Sequence, residues 1–173
     1  MADVIEHWDK EGVITFQSTD PMNEPATNYW GANSNKQEGC HFSQGESQSK
    51  ILVALNEELK NKGINIIISG TDETNSGYNG GQGGQIDSYN KLSDEAKAVL
   101  GRIDTHTYTR SSLADLKALA ESEGKNLWMS EVDGSYTAGT KAGEMRAALG
   151  LAGAMMTEVN GLKCTAWMRG NAN

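Results

Sequence analysis

The run Ile64-Asn65-Ile66-Ile67-Ile68-Ser69-Gly70 constrains the fold more than any other stretch of the chain. A segment so apolar and β-branched suits a strand of a parallel sheet covered on both faces. Around it the sequence alternates between strand and helix patterns. The periodicity predicts the tail of an amphipathic helix over residues 2–10, with Val4, Ile5 and Trp8 as its apolar positions. A strand is predicted over 12–19, followed by a long polar loop containing Trp30, Cys40 and His41. A helix follows near 46–62, where Ile51, Leu52, Leu55 and Leu59 share a face and Gly63 ends it.

The segment from Thr71 to Tyr89 reads as a long loop carrying Gly77, Gly80, Gly81, Gly83 and Gly84. Those glycines do not make a phosphate cradle, because no Gly-Lys-Ser/Thr follows; a cleft wall or flexible lid is the better reading. Beyond it, Asp94 to Leu100 reads as a helix and Arg102 to Tyr108 as a third strand. Ser111 or Ser112 is the expected cap of a helix holding Leu113, Leu116, Leu119 and Ala120. A fourth strand runs into Glu131, a helix spans about residues 141–159, and Gly161 to Met168 is the fifth strand.

Strands and helices in strict alternation give a parallel α/β sheet, and right-handed crossovers place its strands in sequence order. A (β/α)8 barrel takes about 250 residues, whereas this chain has 173. The fold class expected is therefore α/β, a partial TIM barrel. Five strands have their helices on the outer face, and residues 1–173 form one truncated domain holding the last five strands of eight. The inner face is expected to be apolar. The edge strands, near Val13–Thr19 and Leu162–Met168, are expected to lack partners and to promote association.

Charge narrows the function. The net charge is −8, with 15 basic against 23 acidic residues. No Lys/Arg cluster is present to neutralise phosphates, which argues against nucleic acid and is compatible with a neutral polysaccharide. Cys40 and Cys164 are too few for a disulfide framework and lack metal-ligand spacing, so two thiols are the favoured reading and neither metal nor cofactor is expected. No apolar run is long enough to cross a membrane, and residues 1–8 carry acids where a signal peptide needs basic residues and an apolar block.

Two glutamates carry the chemistry. Asp20-Pro21-Met22-Asn23-Glu24-Pro25 stands where the first strand runs out, with Pro25 biasing Glu24 toward an extended backbone. Asn126-Leu127-Trp128-Met129-Ser130-Glu131 is a second apolar run closing on a glutamate. Either alone is weak, since a glutamate at a strand end is usually only solvated. Two of them at corresponding points of one repeating pattern are the machinery of a glycoside hydrolase.

The residues also resemble a known family. Asp20 to Pro25 with Tyr29-Trp30-Gly31, then Gln37-Glu38-Gly39-Cys40-His41-Phe42, then Trp128 to Gly134 resemble glycoside hydrolase family 30, most of all its endo-β-1,6-galactanase branch. The resemblance covers nearly the whole chain. It implies a retaining mechanism on a TIM barrel, with Glu24 as acid/base after strand four and Glu131 as nucleophile after strand seven. Asn23 then matches the residue that holds the sugar 2-hydroxyl, and His106, Tyr108 and Trp167 match residues lining the sugar subsite. Trp30 offers an aromatic face for a sugar ring. The resemblance further implies a full-length protein that is secreted or held at the cell surface. It also implies that strands one to three and an appended β-sandwich are missing from this chain.

Retention requires one carboxylate to attack the anomeric carbon and one carboxylic acid to protonate the leaving oxygen, roughly 5–5.5 Å apart. Glu24 must therefore hold its proton near neutral pH, which burial and the charge of Glu131 favour. Other readings stand beside these. His106 alone is more often a hydrogen-bonded core histidine, Trp30 and Trp167 are equally at home as packing residues, and His41 reads as structural. Asp72, Glu73 and Asp133 read as loop solvation or support for the site, with contact to substrate as the lesser alternative. The runner-up function is another family-30 β-glycanase or glycosidase, namely a β-1,6-glucanase, a xylanase or a glucosylceramidase-like enzyme. The rival class is a non-catalytic carbohydrate-binding barrel fragment, which has no physical reason to keep both glutamates.

Overall fold

The computed structural model describes residues 1–31, 33, 35, 39–78, 80, 82–132 and 143–169. Asp133, Gln37, Glu38, Gly81 and the first two residues of the helix expected from 141 lie outside the described residues. The element order is α1 (Ala2–Lys10), β1 (Ser18–Thr19), α2 (Glu46–Asn61), β2 (Ile67–Glu73), α3 (Gln85–Lys91) and α4 (Asp94–Val99). It continues with β3 (Leu100–His106), α5 (Leu113–Ser122), β4 (Asn126–Glu131), α6 (Met145–Leu162) and β5 (Ala166–Trp167). All neighbouring strands pair parallel, in the order β1-β2-β3-β4-β5. The result is a curled half-barrel with its helices on the outside, a partial TIM barrel.

The helix side of the sheet holds the apolar core. Ile68, Leu100, Ile103, Leu127 and Met129 from β2, β3 and β4 pack there against Leu52, Leu55 and Leu59 of α2 and Leu116 and Ala120 of α5. The 3.6-residue spacing of the leucines in α2 is what turns them together onto the sheet. Ser93 caps α4 by accepting from the Ala96 amide at 3.1 Å, which removes one of the orphan donors of that helix start. Both cysteines are free thiols, Cys40 exposed and Cys164 half-buried.

Several expectations change. The edge strands are two residues long, Ser18–Thr19 and Ala166–Trp167, and Gly161 and Leu162 belong to α6. In α1 only Ile5 of the expected apolar trio is buried, Val4 and Trp8 being exposed. Strand β2 runs on through Glu73, and the segment expected to be loop to Tyr89 contains α3. Ser112 precedes α5 in a left-handed conformation, φ 61°, and its side chain makes no capping bond.

The inner face is not apolar. Arg102 forms a two-pronged ion pair with Asp104, at 2.6 and 2.8 Å. It also donates to Ser18 at 3.2 Å and Ser69 at 3.1 Å, and its guanidinium lies 3.4 Å from the centre of the Trp128 ring. One buried cation thus ties β1, β2, β3 and β4 together on the concave side. The guanidinium fork makes this workable, since four of its five N–H donors meet oxygens and its flat face meets an indole.

Candidate active site

Glu24 stands past the end of β1 in a left-handed conformation, φ 47°. The extended backbone expected from Pro25 is overturned by a set of hydrogen bonds. The Glu24 amide donates to the Asp72 carbonyl at 2.8 Å. Its own carbonyl accepts from the Thr27 hydroxyl at 2.8 Å and the Trp30 indole N–H at 3.0 Å. A non-glycine residue held at positive φ is a marker of over-determined local structure, frequent at functional sites. The residue is buried, with 7% of its surface exposed. One carboxylate oxygen meets His106 Nδ1 at 2.9 Å and the other accepts from the Tyr29 hydroxyl. Burial and this bond to Glu24 push the Tyr29 hydroxyl up to about 12, so it acts as a donor throughout the neutral range.

Glu131 ends β4. The β3–β4 register slips between Thr105 and His106, so that Thr105 pairs with Met129 and His106 with Glu131. The extra residue re-aims the strand end, as bulges do. Ser130 reaches Asp72, and Glu131 reaches the cleft as well. The Tyr108 hydroxyl donates to Glu131 Oε1 at 2.7 Å, and His106 Nε2 lies 3.8 Å from its other oxygen. Glu24, His106 and Glu131 each present an atom within 4.8 Å of the others. The two carboxylates therefore face each other at the carboxyl-terminal mouth, with the imidazole between them.

A second slip lies in β2, where Thr71 pairs with Asp104 and Glu73 with Thr105. Asp72 is the extra residue, at φ 59°, and the bulge turns it to the mouth while Glu73 faces the helices. Asp72 Oδ2 lies 3.4 Å from His106 Nε2. Burial pulls the His106 imidazole down, but its contacts with Asp72 and Glu24 and the charge of Glu131 outweigh that and raise it to about 10. It is an imidazolium at neutral pH.

Glu73 is fully buried behind the mouth, where Gln48 and Ser88 donate to it at 2.8 and 2.5 Å and the Ala26 amide at 3.2 Å. Burial pushes its carboxyl up, against those three bonds. Asp72 and Glu73 are thus support for the site, and neither is loop solvation. Below the mouth, burial and then the charges of Asp72 and Asp104 push Asp20 well above the usual carboxylate range. His41 is structural, bonded through Nδ1 to the Thr27 carbonyl at 2.8 Å.

The structure brings Glu24, His106, Tyr108 and Glu131 together, with half-buried Asn23 adjoining Glu24. Trp30 reaches the pair by holding the Glu24 backbone. Trp167 does not reach it. It pairs with Met129, whose side chain faces the helices, and adjacent residues of parallel strands share a face. Its indole N–H accordingly donates to the buried Glu158 of α6, which also takes Arg110 at 2.6 Å. The residues missed in the sequence are the Arg102–Trp128 pair, and Asp72 stands there between loop solvation and support for the site. The signal for Asp72 was present, since the apolar run from Ile64 also closes on acids.

A parallel half-barrel whose first and fourth strands end on facing glutamates has the architecture of the (β/α)8 glycoside hydrolases. The sequence comparisons refine that class. The chain is 29% identical over 141 residues to an endo-β-1,6-galactanase of Hypocrea rufa, covering 80% of this chain and 28% of that protein. It is 34% identical over 134 residues to an exo-β-1,6-galactobiohydrolase of Bifidobacterium longum, covering 78% of this chain and 8% of that protein. The catalytic domain of GH30 xylanase C from Talaromyces cellulolyticus superposes with a TM-score of 0.67 at 17% identity, over 97% of this chain and 36% of that one. No protein-family model matches the chain. The chain is thus similar to a segment of the family-30 glycoside hydrolases, and it spans little more than a quarter of the first relative's length. Among the described residues no helix is long and apolar enough to cross a membrane.

Proposed function

We propose that the protein hydrolyses β-1,6-linked galactan by double displacement, with Glu131 as nucleophile and Glu24 as acid/base. The observation that carries the reading is the approach of the two carboxylates within 4.8 Å at one end of the sheet. Retaining enzymes hold their carboxyl groups about 5–5.5 Å apart and inverting ones about 6.5–9.5 Å. The sugar and linkage come from the two relatives, which are named for the same bond.

In the first step a Glu131 oxygen bonds to the anomeric carbon, the glycosidic C–O bond breaks, and the Glu24 proton passes to the leaving oxygen. In the second, water attacks the anomeric carbon, gives its proton to Glu24, and releases Glu131 as carboxylate. Tyr108 holds the Glu131 oxygen that is not attacking, and His106 keeps both carboxylates oriented. Asn23 binds the sugar 2-hydroxyl, and a polysaccharide is the substrate, with no cofactor in the cycle. The protein acts on polymer outside the cell.

The test is digestion of β-1,6-galactan by the whole protein, with products followed by size and anomeric configuration. A ladder of β-configured oligosaccharides is expected from endo action. Galactobiose as sole early product would assign the exo mode of the second relative. Inverted α-products, or no cleavage of galactan beside cleavage of β-1,6-glucan or xylan, would overturn the mechanism or the substrate respectively.

A further inference from the structure

Asp72 touches three other strand ends from the tip of β2. Its carbonyl takes the Glu24 amide at 2.8 Å, and its Oδ1 accepts from the Ser130 hydroxyl next to Glu131; its Oδ2 lies 3.4 Å from His106 Nε2, an ion-pair distance at a buried ring nitrogen that makes no aligned hydrogen bond. It is the bulged residue of its strand, held at φ 59°, with 13% of its side chain exposed. A bulge is conformationally costly and is kept where a side chain must be re-aimed. Without it, alternation would send the carboxylate to the helix side. Asp20, Glu73 and Asp104 all lie within its field. Among the described residues, the His106 imidazolium faces it with opposite sign at this end of the cleft.

We propose that Asp72 is the positioning residue of the site, clamping His106 between the glutamates and fixing the ends of β1 and β4 against each other. The proposal rests on the reading of Glu24 and Glu131 as acid/base and nucleophile. Those side chains sit three strands apart, so their separation is set by whatever joins the strand ends. Asp72 supplies a backbone link to one end, a hydroxyl link to the other, and a charge that stops the imidazole rotating away. It acts through His106 and the strand ends and touches no reacting atom. The groups facing His106 are Glu24 after β1, Asp72 on β2, Tyr108 after β3 and Glu131 on β4.

The experiment pairs kinetics with a titration in the whole protein. Asp72→Asn keeps the shape and removes the charge. It should lower kcat by more than about tenfold with KM nearly unchanged, because a positioning loss falls on the transition state and leaves ground-state binding alone. It should also move the His106 imidazole titration to lower pH, read by NMR of histidine-labelled protein and assigned with His106→Gln. Ser130→Ala removes only the tie to β4, and should lower kcat by roughly 3- to 10-fold. A smaller kcat loss in Asp72→Asn, a loss carried by KM, an unmoved His106 titration, or wild-type kcat in Ser130→Ala would overturn the proposal. Absence of glycosidase activity in the wild type would sink the underlying assignment instead, and the His106 titration would still decide whether Asp72 holds the imidazolium.

Discussion

His106 Nδ1 lies 2.9 Å from Glu24 Oε1, and the same ring turns its Nε2 toward Asp72 and Glu131. One imidazole therefore serves three carboxylates from three different strand ends, and its charge is a condition of the geometry. The fold raises His106 from an ordinary 6.5 to about 10. The folded state binds the proton more tightly than the unfolded state does. Its contribution to stability is thus complete below about 6.5 and is lost as pH rises through 10. The slope in that window is at most about 1.4 kcal/mol per pH unit. Thermal melts between pH 6 and 10 should show wild type losing stability more steeply than His106→Gln; parallel curves would remove His106 from the balance.

Glu131→Ala should abolish hydrolysis of the polymer. With an aryl β-galactoside and added azide, part of the turnover should return as the α-azide, because the small anion fills the space left on the nucleophile's side. NMR of the product reads the configuration. A β-azide, or full activity without Glu131, would exclude it as nucleophile.

Glu24→Ala should behave differently. Loss of a general acid costs about 10²–10⁴ in rate where the leaving group needs its proton. Galactan cleavage should fall by that order. Glycosylation by a dinitrophenyl galactoside should persist, and azide should yield the β-product. Steady-state and burst kinetics on the two substrates check this, and an equal loss on both would move the acid role elsewhere.

Arg102→Leu should destabilise the protein by about 3–5 kcal/mol, because Asp104 is left buried and unpaired. Chemical denaturation measures it. The double variant Arg102→Leu with Asp104→Asn should recover part of the loss, since no charge remains to be buried. An unchanged midpoint in the single variant would mean that the concave face is open enough for water to replace the pair.

The strand order, the outer helices and the carboxyl-terminal positions of Glu24 and Glu131 are all legible in the sequence, because each follows from local pattern. Apolar runs make strands, leucines at helical spacing choose a face, and acids close the strands at the end where a parallel barrel does its chemistry. Tertiary structure decided the rest. Alternation assigns a side chain to a face only while the register holds, and a single bulge reverses it. For that reason Asp72 belongs to the mouth and both Ser130 and Glu131 reach it, while Trp167, in a β4–β5 register with no slip, follows Met129 to the helices beside Glu158. The inner face could not be read as polar either, since Arg102 is tolerated there only by partners from four strands. His106 has the same character. Its residue type and strand position are written in the chain, but its charge is the sum of fields from Glu24, Asp72 and Glu131, which only folding brings within reach.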